Sequence, residues 1–318
     1  MDHHQLIEDE DLSPNARTAR SAAASRSTWV SVGVNIVLSL SQILIGLFAH
    51  SQSLIADGIH SLSDLIADFV VLFASHHSQK DADEDHPYGH QRFENAASLV
   101  LGLLLLGVGA GILITAIGKL EHPETIQIVH IEAIWVAGLA LVAKESLFRY
   151  MLAVAKRIKS SMLVANAWHA RSDAASSLVV GVGIAGNLAG YPIMDPIAAI
   201  IVGVMICKMG WEFGWDAIND LVDRSADDTE VEAIRKTLIE TPGVQDAHNL
   251  RTRKMGDMII VDAHIEVDAT ITVEQGHDIA VDARKRVLQR HRVLDLMAHV
   301  DPWHRPDLDH DHPPTLHV

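Results

Sequence analysis

Six apolar stretches alternate with short polar connections along the first two thirds of the chain. They run Trp29–Phe48, Leu54–Ser75, Ala96–Gly118, Glu132–Met151, Met162–Leu188 and Pro196–Gly210. A helix crosses a bilayer with about 20 predominantly apolar residues. The third stretch carries no charge. The sixth is shorter, bounded by Asp195 and Lys208, and reaches toward Trp215 if the Lys208 ammonium snorkels to the interface. Gly and Ala recur within these runs, as close helix packing in lipid requires. The run Trp29–His50 exceeds a signal-peptide core and no small-residue cleavage site follows it, so it reads as a retained helix. The pattern predicts a membrane protein: a six-transmembrane-helix bundle over 29–215, preceded by a polar N-terminal tail over 1–28.

Beyond about Asp216 the period changes. Asp227–Glu240 repeats apolar positions at helical spacing (Val231, Ile234, Leu238), and Thr241-Pro242-Gly243 breaks it. His248–Arg253 and Met258–Val267 alternate as strands do, with Ile260, Asp262, His264 and Glu266 on one face. Val273–Arg290 returns to helical period and Leu294–Asp301 reads as a last strand. This α-β-β-α-β order predicts a small ferredoxin-like α+β domain over 216–303. Residues 304–318 have no apolar period and are expected to be disordered.

Loop charge orients the bundle. Arg17, Arg20 and Arg26 precede the first stretch, Lys80 and Arg92 lie between the second and third, and Arg149, Lys156, Arg157 and Lys159 lie between the fourth and fifth. The remaining connections hold almost no basic residues, so both termini are expected in the cytosol. Net charge is -16 with histidine neutral, which argues against nucleic acid as a partner and favours cations. With a single cysteine, Cys207, any metal chemistry must use the 20 histidines and the carboxylates.

Two of the apolar stretches repeat one pair. The second holds His60 and Asp64, the fifth holds His169 and Asp173. A four-residue spacing places both side chains on one helix face. A carboxylate at membrane depth costs roughly 2.5–3.5 kcal/mol on insertion scales and calls for a role. Two opposed faces supply two imidazoles and two carboxylates, a tetrahedral set suited to zinc. Hydrogen-bonded helix pairs without metal are the plainer alternative. Asp57, a turn before His60, reads as a supporting partner or a helix cap. Ligands that hold a cation also bind protons, so a site alternating between two faces would exchange outward metal for inward protons.

In combination, Ala56-Asp-Gly-Ile-His60-Ser-Leu-Ser-Asp64, Asp85-His86-Pro-Tyr-Gly-His90, His169 with Asp173, Asp223-Arg-Ser, and Pro242-Gly-Val followed by His248-Asn-Leu-Arg-Thr-Arg resemble the cation diffusion facilitator family over residues 25 to 303. The resemblance implies a multi-pass homodimer in the lipid bilayer that exports a divalent metal from the cytosol against protons. It puts the transport site on His60, Asp64, His169 and Asp173, a His-Asp/His-Asp form associated with zinc, so that Zn2+ is both substrate and regulatory ligand. It implies a second site on Asp83, His86 and His90, and a third in the C-terminal domain on His248, His264, His277, His299 and Asp301. It also implies a charged pair, Arg92 with Asp223, linking bundle and domain. The compact loops point to a bacterial inner membrane. His304 and the His310-Asp-His312 tail extend past the family's domain and are either weak metal traps or idle.

Alternatives differ in class. A membrane metalloenzyme would need an open metal position and a general base, such as HExxH on a helix, and the chain has no HExxH. A sensor or scaffold that does not transport would be expected to have lost intramembrane ligands. Cadmium, iron, cobalt, nickel and manganese remain alternative cargoes.

Overall fold

The computed structural model describes residues 14–78, 80, 82–157, 161–256 and 258–303, with side chains from residue 29 onward except 68, 71, 72, 75, 76, 161–163, 165, 166 and 169. The His310-Asp-His312 tail and His304 lie outside the described residues.

Six long helices come first: α1 Pro14–Phe48, α2 Gln52–Ser78, α3 Arg92–Glu121, α4 Glu132–Arg157, α5 Ser161–Leu188 and α6 Met194–Leu221. Each contains one of the apolar stretches. α1 begins at Pro14, inside the segment read as a polar tail, and α6 runs on to Leu221, with Lys208 held to Glu212 one turn later at 3.4 Å. Trp29–Phe48 of α1, together with α3 and α6, is long and apolar enough to cross a membrane, with mean hydropathy of 2.0, 2.6 and 1.6. Among the other three helices, α2 carries Asp57, Asp64 and Asp68, α4 carries Lys144, Glu145 and Arg149, and α5 carries Arg171 and Asp173.

The chain divides into two compact units, Met1–Phe69 with Leu101–Glu212, and Val70–Val100 with Phe213–Val318. In the first, Leu147, Phe148 and Met151 of α4 bury against Ala167 and Ala170 of α5, with Val34 of α1 alongside. Asp195 at the start of α6 is buried, and its carboxylate accepts from Ser51 Oγ (2.6 Å), Gln52 N (2.7 Å) and Ser53 Oγ (2.6 Å). It caps the α2 N-terminus, whose first amides have no helical partner.

The second unit holds the α+β domain: α7 Asp228–Ile239, β1 Val244–Met255, β2 Met258–Asp268, α8 Val273–Arg290 and β3 Val293–Trp303. The observed order is the expected one. The sheet runs β1-β2-β3, with β1 antiparallel and β3 parallel to β2. Ile234 and Leu238 of α7 and Ala283 and Val287 of α8 cover one sheet face, burying Ile259, Val261, Ala263 and Ile265. Strand side chains alternate between faces, so Asp262, His264 and Glu266 fall on the other. α8 starts from a capping box in which Thr272 and Gln275 satisfy each other's amides.

Candidate metal centres

In the bundle, His60, Asp64 and Asp173 each offer a ligand atom within 4.8 Å of the others. His60 is buried, and its Nδ1 lies 3.8 Å from Asp64 Oδ2. The pair comes from one face of α2 and Asp173 from α5, as the repeated spacing requires. His169 stands one turn before Asp173 on α5, and its side chain lies outside the described residues. Two carboxylates and an imidazole form a hard-to-borderline donor set, open to first-row divalent ions.

Asp57 is not in that cluster. It is fully buried, and its carboxylate accepts from Ser176 Oγ (2.8 Å), Ser177 Oγ (2.6 Å) and the Gln42 amide, with Lys144 Nζ 3.4 Å from both oxygens. Its partners are side chains of α1, α4 and α5 rather than amides at the start of α2, so it does not cap the helix. Lys144 was missed. Its one available signal was a basic residue in the middle of an apolar stretch, where a charge is costly without a partner.

The second cluster lies between α2 and α3. Asp83 Oδ1 accepts from the His86 and Asp85 amides at 2.7 and 3.1 Å, a turn closed by Gly89 at φ 86°. The same turn brings His86 Nδ1 to 3.2 Å from Oδ1 and His90 Nε2 to 3.3 Å from Oδ2. The His86 amide holds the Asp83 carboxyl below its ordinary pKa; loss of water opposes this, and the imidazoles reinforce it. A lowered pKa favours the carboxylate over its protonated form. His90 is buried, whereas Asp83 and His86 are exposed.

The third cluster follows from strand register. His248 pairs with His264 across β1–β2, and His264 with His299 across β2–β3, so three imidazoles form one row on the open sheet face. Asp301, two residues on, points to the same face. Its oxygens lie 2.8 Å from His264 Nδ1, 3.6 Å from His248 Nε2 and 3.3 Å from His299 Nε2. His248, His264 and Asp301 offer ligand atoms within 4.8 Å of one another. His299 is more exposed and joins the group through Asp301. His277 is on the exposed side of α8, outside the cluster. Glu266, not expected from sequence, stands 3.4 Å from His248 Nδ1.

Arg92 at the start of α3 donates to Asp223, which holds a left-handed backbone (φ 65°) just past α6. Arg92 Nε also meets Met255 Sδ at 3.3 Å.

A family model described as the cation efflux transmembrane domain matches residues 28–222, and a second, the cation efflux protein cytoplasmic domain, matches residues 226–303. The chain belongs to the cation efflux family. An uncharacterised transporter of Methanocaldococcus jannaschii is 37% identical over 86% of this chain and 96% of its own length. A manganese efflux system protein of Bacillus subtilis is 32% identical over 86% of this chain and 93% of its own. Metal tolerance protein C1 of Arabidopsis thaliana is 34% identical over 84% of this chain, which spans 60% of that relative's length. As a cation efflux protein, the chain is a membrane transporter of divalent metal cations, with the family's cytoplasmic domain following its transmembrane domain. This places it outside the enzyme reading.

Proposed function

We propose that the protein exports Zn2+ from the cytosol in exchange for protons, by alternating access of a site formed by His60, Asp64, His169 and Asp173. The observation that carries this is the convergence of His60, Asp64 and Asp173 ligand atoms within 4.8 Å on two helices of the transmembrane domain. Imidazole donors favour zinc over harder ions such as manganese. Each ligand that releases metal can take up a proton at the same atom, which supplies the coupling.

On this reading all six long helices cross the bilayer, and the polar residues of α2, α4 and α5 face the bundle interior. Both termini are cytosolic, in a bacterial inner membrane. The C-terminal domain forms a homodimer and binds regulatory metal through His248, His264 and Asp301, with His299 as a further ligand and His277 apart from them on α8. Asp83, His86 and His90 form a cytosolic loop site. Arg92 and Asp223 tie α3 to the end of α6.

Manganese is the second reading, supported by relatives named for manganese efflux. The test is metal flux into proteoliposomes under an imposed pH gradient, with Zn2+ and Mn2+ in competition. Gradient-dependent zinc flux that manganese inhibits only weakly supports the first reading. Manganese flux that zinc fails to displace supports the second, and flux indifferent to the gradient refutes proton exchange.

A further inference from the structure

We propose that Lys144 is a positioning residue for the intramembrane metal site, acting with Asp57 as a buried strut that sets where Asp173 stands relative to His60 and Asp64. The inference rests on the transport-site assignment above.

Lys144 is 2% exposed and Asp57 is 0% exposed. A buried ion pair replaced by apolar residues of similar volume is often neutral or stabilising, so stability alone gives little reason to keep one. Geometry supplies a reason. The Lys144 ammonium has three protons, and three oxygens lie 3.4 Å from it: both carboxylate oxygens of Asp57 and the backbone carbonyl of Asp173. Ser176 Oγ is 2.8 Å from both the Asp57 carboxylate and the Asp173 carbonyl, and its single proton serves one at a time. Lys144 serves both at once. The strut therefore joins the backbone of one ligand, Asp173, to a carboxylate one turn before another, His60.

Neighbouring packing fixes the strut on its remaining sides. Ser177 from α5 and the Gln42 amide from α1 complete the Asp57 shell. Gln42 reaches it because Gly58 lets the helices close: a Cβ there would meet Gln42 Cβ at 3.0 Å and Ile43 N at 3.0 Å. Three helices thus converge on a carboxylate borne by a fourth. Asp64 and Asp173 each offer a carboxylate oxygen to an ion, whereas both Asp57 oxygens are already held by Lys144, Ser176 and Ser177. Asp57 is thereby kept from acting as a third carboxylate ligand.

The test uses the full-length protein in proteoliposomes, measuring KM and kcat for Zn2+ and for Mn2+. Asp64→Ala is the control for the site itself. Lys144→Met alone strands a buried carboxylate and risks misfolding, so the informative variant is Lys144→Met with Asp57→Asn, which removes the pair together. Groups that orient metal ligands typically govern affinity about 10–100-fold. The double variant, with wild-type thermal stability, is expected to raise KM about tenfold or more, with kcat less affected and the Zn2+/Mn2+ ratio altered. Ser177→Ala, which removes one neutral donor from Asp57, is expected to raise KM in the same direction and keeps the question open to test if the double variant misfolds. A purely structural pair would lower folded yield and leave KM untouched. Unchanged KM and metal ratio in a folded double variant, or in folded Ser177→Ala, overturns the proposal while Asp64→Ala still abolishes flux. Transport surviving in Asp64→Ala overturns the site assignment, and the proposal with it.

Discussion

Asp301 is the hub of the C-terminal cluster, so its removal has a calculable consequence. In the metal-free protein its carboxylate contacts His264, His248 and His299, and these half-exposed contacts are together worth about 1 kcal/mol. Asp301→Ala should therefore leave the metal-free domain folded. Metal changes the scale. A ligand at about 100 times its Kd stabilises the state that binds it by about 2.7 kcal/mol, which slows exchange of globally protected amides about 100-fold. The assay is hydrogen exchange by mass spectrometry on β2 and β3 of the full-length protein, with and without Zn2+. Wild type should show metal-dependent protection across Ile259–Val267, and Asp301→Ala should lose most of it. His277→Ala should keep it, because His277 stands apart on the exposed side of α8. Full metal-dependent protection in Asp301→Ala, or none in wild type, would refute the assignment.

Two further predictions concern stability. Asp195→Ala strands the buried Ser51 and Ser53 hydroxyls and the Gln52 amide, and cap loss with unsatisfied donors should cost about 2–4 kcal/mol, read as a lower melting temperature in detergent. A melting temperature equal to wild type would count against the cap. His291 has its pKa lowered by burial and by Arg290, against a smaller opposing pull from Glu230, while its Nε2 meets Thr237 Oγ1 at 2.7 Å. A depressed folded value means that stability is complete above the ordinary value of 6.5 and is lost as pH falls through the folded value. Melting of the C-terminal domain should drop over that window, and His291→Gln should flatten the drop; an unchanged slope contradicts this.

Much of the architecture was legible because apolar period is a long-range signal. Each stretch became a helix, and the α-β-β-α-β order follows from alternation and breakers such as Pro242-Gly243. Boundaries were less legible. β1 runs Val244–Met255, not His248–Arg253, because register shifts on both sides of His248 disrupt the strict alternation a reader looks for. The paired His60 and Asp64 were visible because four-residue spacing is a local feature. The roles of Lys144 and Asp195 were not, because each is a single charge whose partners lie 87 and 144 residues away, and its position in or beside an apolar stretch does not say which residues those are. Glu266 stood on the predicted strand face, but only the β1–β2 pairing puts it beside His248.

The most direct test of the central claim is Zn2+ flux through Asp64→Ala in proteoliposomes under a pH gradient, with insertion and folding checked against wild type. A folded, inserted variant should carry no zinc, since Asp64 belongs to the one cluster placed within the transmembrane domain's helices among the described residues. Flux at the wild-type rate would contradict it.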